Sequence, residues 1–231
     1  MTAAGIVRSV ALPLLVLLGA CAFGSEVREQ VHQVVQTGAA PLVRIANAAG
    51  SIRIATSEGT TVDVKATKSA NSVDALHAMK VDVHAQDGGV SIATTYSGGL
   101  QQGGVSYIVT VPAGASLDVR NGAGSVDVTG VRGNVTIATQ AGSVSADLAT
   151  IAAKRSVTLS ATTGTIRLAM RADSSARVRA RSTIGSFSSD FPSVAGSQAN
   201  VVGTNADGTI GSGSATISLS ATTGSITLER I

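Results

Sequence analysis

From Pro41 onward the chain is built on one alternation: an apolar residue, a polar residue, a second apolar residue. The dyads read Val43-Arg44-Ile45, Ile52-Arg53-Ile54, Val62-Asp63-Val64, Val81-Asp82-Val83, Val90-Ser91-Ile92, Leu117-Asp118-Val119, Val126-Asp127-Val128, Val135-Thr136-Ile137 and Val157-Thr158-Leu159. Ile166-Arg167-Leu168, Ile217-Ser218-Leu219 and Ile226-Thr227-Leu228 continue the series. A period of two puts both apolar members on one face of a strand and the polar member on the other, so each dyad predicts a half-buried strand.

A second pattern punctuates the first. Glycine, a hydroxyl residue and an apolar residue recur as Gly50-Ser51-Ile52, Gly124-Ser125-Val126, Gly142-Ser143-Val144, Gly164-Thr165-Ile166, Gly185-Ser186-Phe187, Gly208-Thr209-Ile210 and Gly224-Ser225-Ile226. Glycine two residues before a strand predicts a sharp corner that needs a positive φ. The hydroxyl residue after it is suited to bond nearby backbone. Asp87-Gly88 and Asn121-Gly122 read as turn pairs.

Dyads start at 117, 126, 135 and 144, and corners at 124, 142, 164 and 185. One coil therefore takes about 20 residues and carries two or more short strands, and a unit this small must stack on its neighbours to bury its apolar side. The predicted fold is an all-β, right-handed parallel β-solenoid (a β-helix), with on the order of nine coils in a rod of ~45 Å. Residues 27–231 form this domain, with 27–112 the less regular part and 113–231 the regular coils. Val27, Val31 and Val35 fit either a strand or a helix face until Pro41 ends the segment. Ser69 to Lys80 predicts a short helix, with Asn71 or Ser72 as its cap and Val73, Leu76 and Met79 at helical spacing. Gly98 to Gly104 predicts a loop.

Composition narrows the function. Of 231 residues, 44% are hydrophobic but only 2% aromatic, and 13% are charged. The core must come from Val, Ile, Leu and Ala. The formal charge of +3 is spread along the chain. Without clustered basic residues and stacking aromatics, no nucleic-acid partner is expected.

The N-terminus reads as an address. Arg8 precedes the apolar run Val10 to Leu18, which is too short to span a bilayer. Leu18-Gly19-Ala20-Cys21 resembles the bacterial lipobox. That resemblance implies a signal peptide over 1–20, a lipid anchor on Cys21, a tether over 21–26, and, with Ala22 after the cysteine, the outer membrane. Cys21 is the only cysteine, so an intrachain disulfide is impossible.

Candidate chemistry is sparse. The nine-residue interval resembles the calcium repeats of secreted toxins at Gly122 to Val128. In-phase Asp118 and Asp127 are followed by Thr136 and Ser145, however, so the ladder of ligands stops and no metal is expected. A polysaccharide-active enzyme on this fold would need carboxylates gathered on one face, and Asp118 with Asp127 is the one pair in phase. His32, His77 and His84 fit no zinc spacing, and no phosphate-loop or dinucleotide fingerprint is present. Arg177, Arg179 and Arg181 alternate with Val178 and Ala180 and form a candidate anion-binding stripe, or a charged edge that discourages strand pairing. Arg167 and Arg171 lie near it in sequence.

Leu42 to Ile54, Leu159 to Leu168, Ile184 to Pro192 and Gly211 to Leu228 together resemble the bacterial adhesin family with β-strand repeats, domain of unknown function 4097. The resemblance covers roughly residues 27 to 231. It implies a right-handed β-solenoid, often secreted or membrane-anchored, and supplies no catalytic residues. The expected function is that of a non-catalytic envelope lipoprotein with a structural or adhesive role, no cofactor, and a polysaccharide, lipid or protein partner in the envelope. A polysaccharide-active enzyme and an envelope-stress or lipopolysaccharide-binding accessory protein are the alternatives.

Overall fold

The structure is a computed structural model that describes residues 26–86, 88–97, 103–148, 151, 153–198 and 203–231. The leader 1–20 and Cys21 lie outside the described residues, as do Asp87 and residues 98–102 of the expected loop.

Among the described residues, seventeen strands and one short helix follow in the order β1 (Val27–Gln36), β2 (Leu42–Ala49), β3 (Ile52–Ser57), β4 (Thr61–Ala70), α1 (Val73–Ala78), β5 (Met79–Gln86), β6 (Gly89–Tyr96), β7 (Gly103–Pro112), β8 (Ser116–Ala123) and β9 (Val126–Thr129). Then come β10 (Val135–Asp147), β11 (Ser156–Met170), β12 (Ala176–Ile184), β13 (Phe187–Ser189), β14 (Val194–Gln198), β15 (Thr204–Ile210), β16 (Ala215–Thr223) and β17 (Ile226–Arg230). All strands belong to one hydrogen-bonded sheet. The domain is all-β and solenoid-like, as the alternation predicts.

The sheet wraps into a stack of parallel layers, each with two strands meeting at a corner. On the first face the order is β6, β2, β8, the first half of β10, the first half of β11, β16 and β12. On the second face it is β7, β3, β9, the second halves of β10 and β11, β17 and β13. Lateral register is strict. Val90, Val43, Leu117, Val135, Val157, Ile217 and Val178 form one column of directly facing residues. Every dyad residue is buried except Val81 and Val83, which are half-buried on the edge strand β5. The polar middle residue of each dyad stays out of the core.

Three details differ from the expectation. The layers do not follow chain order at either end: β2 and β3 lie between the β6–β7 and β8–β9 layers, and the last layer (β16 and β17) inserts between β11 and β12. The stack has seven parallel layers rather than nine, since residues at both ends go elsewhere. The pairing is also not purely parallel: β1 on β4, β4 on β7 and β5 on β6 are antiparallel, as are β15 on β12 and β14 on β15. These antiparallel strands cover the open ends of the parallel stack. The helix forms where expected, but ends at Ala78; Ser72 is its cap, accepting a hydrogen bond from the Ala75 amide at 3.2 Å, and Met79 opens the next strand.

Six of the seven glycine phrases form one column at the corner, in the order Gly50, Gly124, Gly142, Gly164, Gly224, Gly185, with φ between +120° and +146°. A Cβ on any one after Gly50 would meet the carbonyl oxygen of the glycine before it, at 1.7 to 2.3 Å. The seventh, Gly208, is not a corner. It lies inside antiparallel β15, facing Val178 and Val194.

The hydrogen bonds that seal this corner come from an unexpected position, three residues before the glycine. Asn47 donates to the Val105 carbonyl at 3.0 Å, Asn121 to the Gly50 carbonyl at 3.1 Å, and Ser182 to the Gly224 carbonyl at 2.9 Å. Each reaches back by one layer. Asn47 also donates to Asn121 at 3.2 Å and accepts from the Thr94 hydroxyl at 2.9 Å. Asn121 is therefore a buried strand residue, not part of a turn with Gly122. Asn121→Ala strands the Gly50 carbonyl and one Asn47 hydrogen atom, and is expected to cost about 1–3 kcal/mol, read as a lower urea midpoint.

Tyr107 sits at the same end, 1% exposed, with its hydroxyl 2.6 Å from that of Thr94. Burial pushes its hydroxyl up to about 12 from an ordinary value of 10.0. The unfolded chain then releases this proton near pH 10, while the folded chain keeps it until about pH 12. Over that window the unfolded state binds fewer protons, so stability falls as pH rises, by roughly 3 kcal/mol from this group. Urea midpoints measured from pH 9 to 12 should fall less steeply in Tyr107→Phe than in the native chain.

Candidate functional site

The first face presents its outward side chains in rows across the layers. One row runs Ala46, Arg120, Ala138, Ser160, Ser220, Arg181 and Asn205. The next runs Arg44, Asp118, Thr136, Thr158, Ser218, Arg179 and Asp207. Register alone fixes these rows, because parallel strands in strict alignment stack like positions at ~4.8 Å.

Arg177, Arg179 and Arg181 all point outward and exposed from β12, as the alternation requires. β12 is not an edge, however. It lies between β15 and β16, so the arginines do not protect an open strand. Arg179 lies 3.6 Å from Asp207, both well exposed, a contact of small energetic weight. Arg167 does not join the stripe. It projects from the second face and is held by Glu229, whose carboxylate raises the guanidinium's affinity for its proton. Arg171 pairs with Asp173 at 3.1 Å.

Beside the row of Arg120 and Ser220 lies a groove of about 640 Å³ along the stack. The small side chains of Ala46, Ala138, Ser160 and Ser220 leave a trough, and Gln140, Thr162 and Thr222 stand along it. Its wall includes Thr139, 4% exposed, whose hydroxyl has no hydrogen-bond partner among the described residues. Arg120 is the one charged residue in the lining, and no carboxylate lines it. The sequence offered one signal for this groove: outward Ser, Thr and Ala at matching positions of successive coils.

The carboxylates in phase are separated. Asp118 lies on β8 and Asp127 on β9, on either side of the glycine corner and not in paired strands. Asp118 faces Arg44 and Asp127 faces Arg53 across their ladders. His32 lies 2.9 Å from Asp63, while His77 and His84 are exposed. Among the described residues no three His, Cys, Asp or Glu side chains gather where they could hold a metal ion. Two buried cations serve the fold. Lys68 pairs with Glu29 at 2.7 Å and donates to the Met79 carbonyl. Arg155, whose pKa burial lowers, donates to the Val131 carbonyl at 3.3 Å.

A family model described as Toastrack DUF4097 matches residues 37–229. Among curated proteins none matches this chain in sequence. A crystal structure of a "putative cell adhesion protein" from Clostridium sporogenes superposes with a TM-score of 0.67 at 10% identity, over 88% of this chain and 100% of that one. That likeness establishes a shared fold. A "putative adhesin" of Bacteroides fragilis aligns over 88% of this chain and 97% of its own, at 13% identity and a TM-score of 0.37.

Proposed function

This chain belongs to the Toastrack DUF4097 family, and from that premise we propose that it is a non-catalytic adhesive protein of the bacterial envelope. One observation carries the reading. The outward hydroxyls and arginines of β8, β10, β11, β16 and β12 form a broad layered surface, with its acidic residues apart from one another. Such a surface suits many weak contacts with a repetitive partner. Acid–base hydrolysis instead needs two carboxyl groups facing one bond. The cell-adhesion name carried by the Clostridium sporogenes structure supports the same direction.

In this reading Cys21 carries the lipid that holds the chain to the outer membrane, since two or three acyl chains exceed the anchoring threshold. The winding is right-handed, the hand that parallel crossover connections almost always take. Mass spectrometry of the mature N-terminus should find an acylated Cys21, and an unmodified cysteine would remove the anchor. Cells lacking the protein should attach less well to polysaccharide-coated surfaces. Unchanged attachment, or release of reducing ends when the purified chain meets those polysaccharides, would overturn the non-catalytic adhesive role.

A further inference from the structure

We propose that the groove along the first face binds one extended acidic polysaccharide, lying along the stack axis with Arg120 and Arg181 receiving its carboxylates or sulfates. The inference rests on the adhesive reading and names the partner class of that surface.

Charge comes first. Arg120 and Arg181 occupy the same outward row, at opposite ends of Ala138, Ser160 and Ser220. Four interstrand steps separate them, about 19 Å along the stack. Both are exposed; Arg120 lines the groove, Arg181 stands one strand beyond Ser220 at its end, and no carboxylate lines the groove. A ligand that touches both must be long, thin and anionic at intervals. A single phosphate or a compact headgroup meets one arginine at most.

The trough between them fixes the rest of the chemistry. Ser220, Thr162, Thr222 and Gln140 supply donors and acceptors along the trough, Ser160 accepts while its own proton goes to the Ile137 carbonyl at 3.2 Å, and the intervening alanines give shallow apolar contact. A pyranose ring has the same mixed character, hydroxyls at its rim and C–H groups on its faces, and a linear chain of them repeats on the scale of one layer. The backbone ladders hold the spacing rigid, so little ordering is needed at binding. Among the described residues no aromatic side chain lines this groove, so recognition here runs through hydrogen bonds and charge rather than stacking.

One neighbour works against the anion. Asp118 lies 3.8 Å from Arg120 and offsets part of its field. Removing that charge should strengthen binding.

The test uses the purified mature chain, carrying its native Cys21, and linear oligogalacturonates of increasing length in a calorimeter at low salt. Neutral dextran and phosphatidylglycerol vesicles serve as comparison probes. The native chain should bind the longer oligogalacturonates and lose affinity as salt is added. Arg120→Ala with Arg181→Ala should weaken binding about ten-fold. Arg177→Ala, four residues from Arg181 along β12 and outside the row that Arg120 and Ser220 share, should leave it unchanged, and Asp118→Asn should improve it. The gain in Asp118→Asn keeps the test sound even if the double variant folds poorly.

Four results would overturn the proposal: no oligogalacturonate binding, equal binding of dextran, binding of vesicles in place of the polymer, or a double variant that is folded and binds as the native chain does. If cells lacking the protein still attach poorly while any of these is found, the adhesive role stands and the groove is not its site.

Discussion

Gly164→Ala is expected to destabilise the protein by on the order of 4 kcal/mol and to melt several layers together. Gly164 has φ +142°, and a Cβ there would stand 1.7 Å from the Gly142 carbonyl oxygen. Strain in this glycine-only region of backbone space costs about 1–3 kcal/mol. Forcing atoms into a packed contact costs a further 1–3 kcal/mol or so. The contact cannot relax alone, because Gly224 rests on Gly164 with the same 1.7 Å approach. Shifting one corner shifts the next, and nearest-neighbour interfaces carry the stability of a stacked fold. Gly59→Ala is the matched comparison. Gly59 has φ +148° but nothing within 4 Å of the added atom, so it should lose the strain component alone, about 1–3 kcal/mol. Urea titrations followed by far-UV circular dichroism measure both; equal losses would show that the corner is not tightly stacked.

Leu159→Ala should fall near the upper end of the ordinary range for core truncation, about 2–5 kcal/mol. Its side chain is fully buried, facing Ile137 in the layer before and Leu219 in the layer after. In many cores the neighbours close part of such a cavity. Here the spacing of Ile137 and Leu219 is set by backbone ladders on both sides, so they cannot approach each other without breaking hydrogen bonds. Val83→Ala offers the contrast, since β5 pairs on one side only and Val83 is half-buried. It should cost less than half as much. A Leu159 variant as mild as the Val83 variant would mean that the layers slide freely.

Much of this architecture was legible because local pattern and tertiary role coincide. The dyads at Val43, Leu117, Val135, Val157 and Ile217 name core residues directly, since period-two alternation is also the period of burial in a strand. The glycine phrases name the corner, since no other residue accepts that backbone. What local pattern cannot specify is which layer touches which. The alternating segment at Val178 and the dyad at Ile217 are both compatible with a place beside Val157. One cue did exist, the identical Ser-Ala-Thr-Thr-Gly at 160–164 and 220–224. These two segments are direct lateral neighbours, Ser160 on Ser220 and Ala161 on Ala221. Like residues stack there because a flat parallel ladder gives both the same surroundings.

Other features were misread for physical reasons. Gly208-Thr209-Ile210 matches the corner phrase but serves close antiparallel packing, a second use of a missing side chain. Asn121-Gly122 matches a turn pair, yet the Asn amide is spent between layers. The arginines of β12 alternate as on a protective edge, but the edge is elsewhere, because β15 turns back to pair outside them. The groove had no signal beyond small outward residues at matching positions of successive coils. It emerges when the Ser160, Thr162, Ser220 and Thr222 positions are brought side by side, which depends on the layer order that local pattern leaves open.

That order is the claim on which the rows, the groove and the arginine spacing all depend, and disulfide trapping tests it most directly. With Cys21 replaced by Ser, cysteines are placed at Thr158 and Ser218, or at Thr158 and Arg179. Residues 158 and 218 are lateral partners in β11 and β16, within the Cα separation a disulfide accepts. Residues 158 and 179 lie two layers apart, about 9.6 Å, beyond that limit. Mild oxidation should crosslink the first pair rapidly and leave the second reduced. Rapid crosslinking of 158 to 179, with 158 and 218 remaining free, would put β12 directly against β11 in chain order and contradict the account.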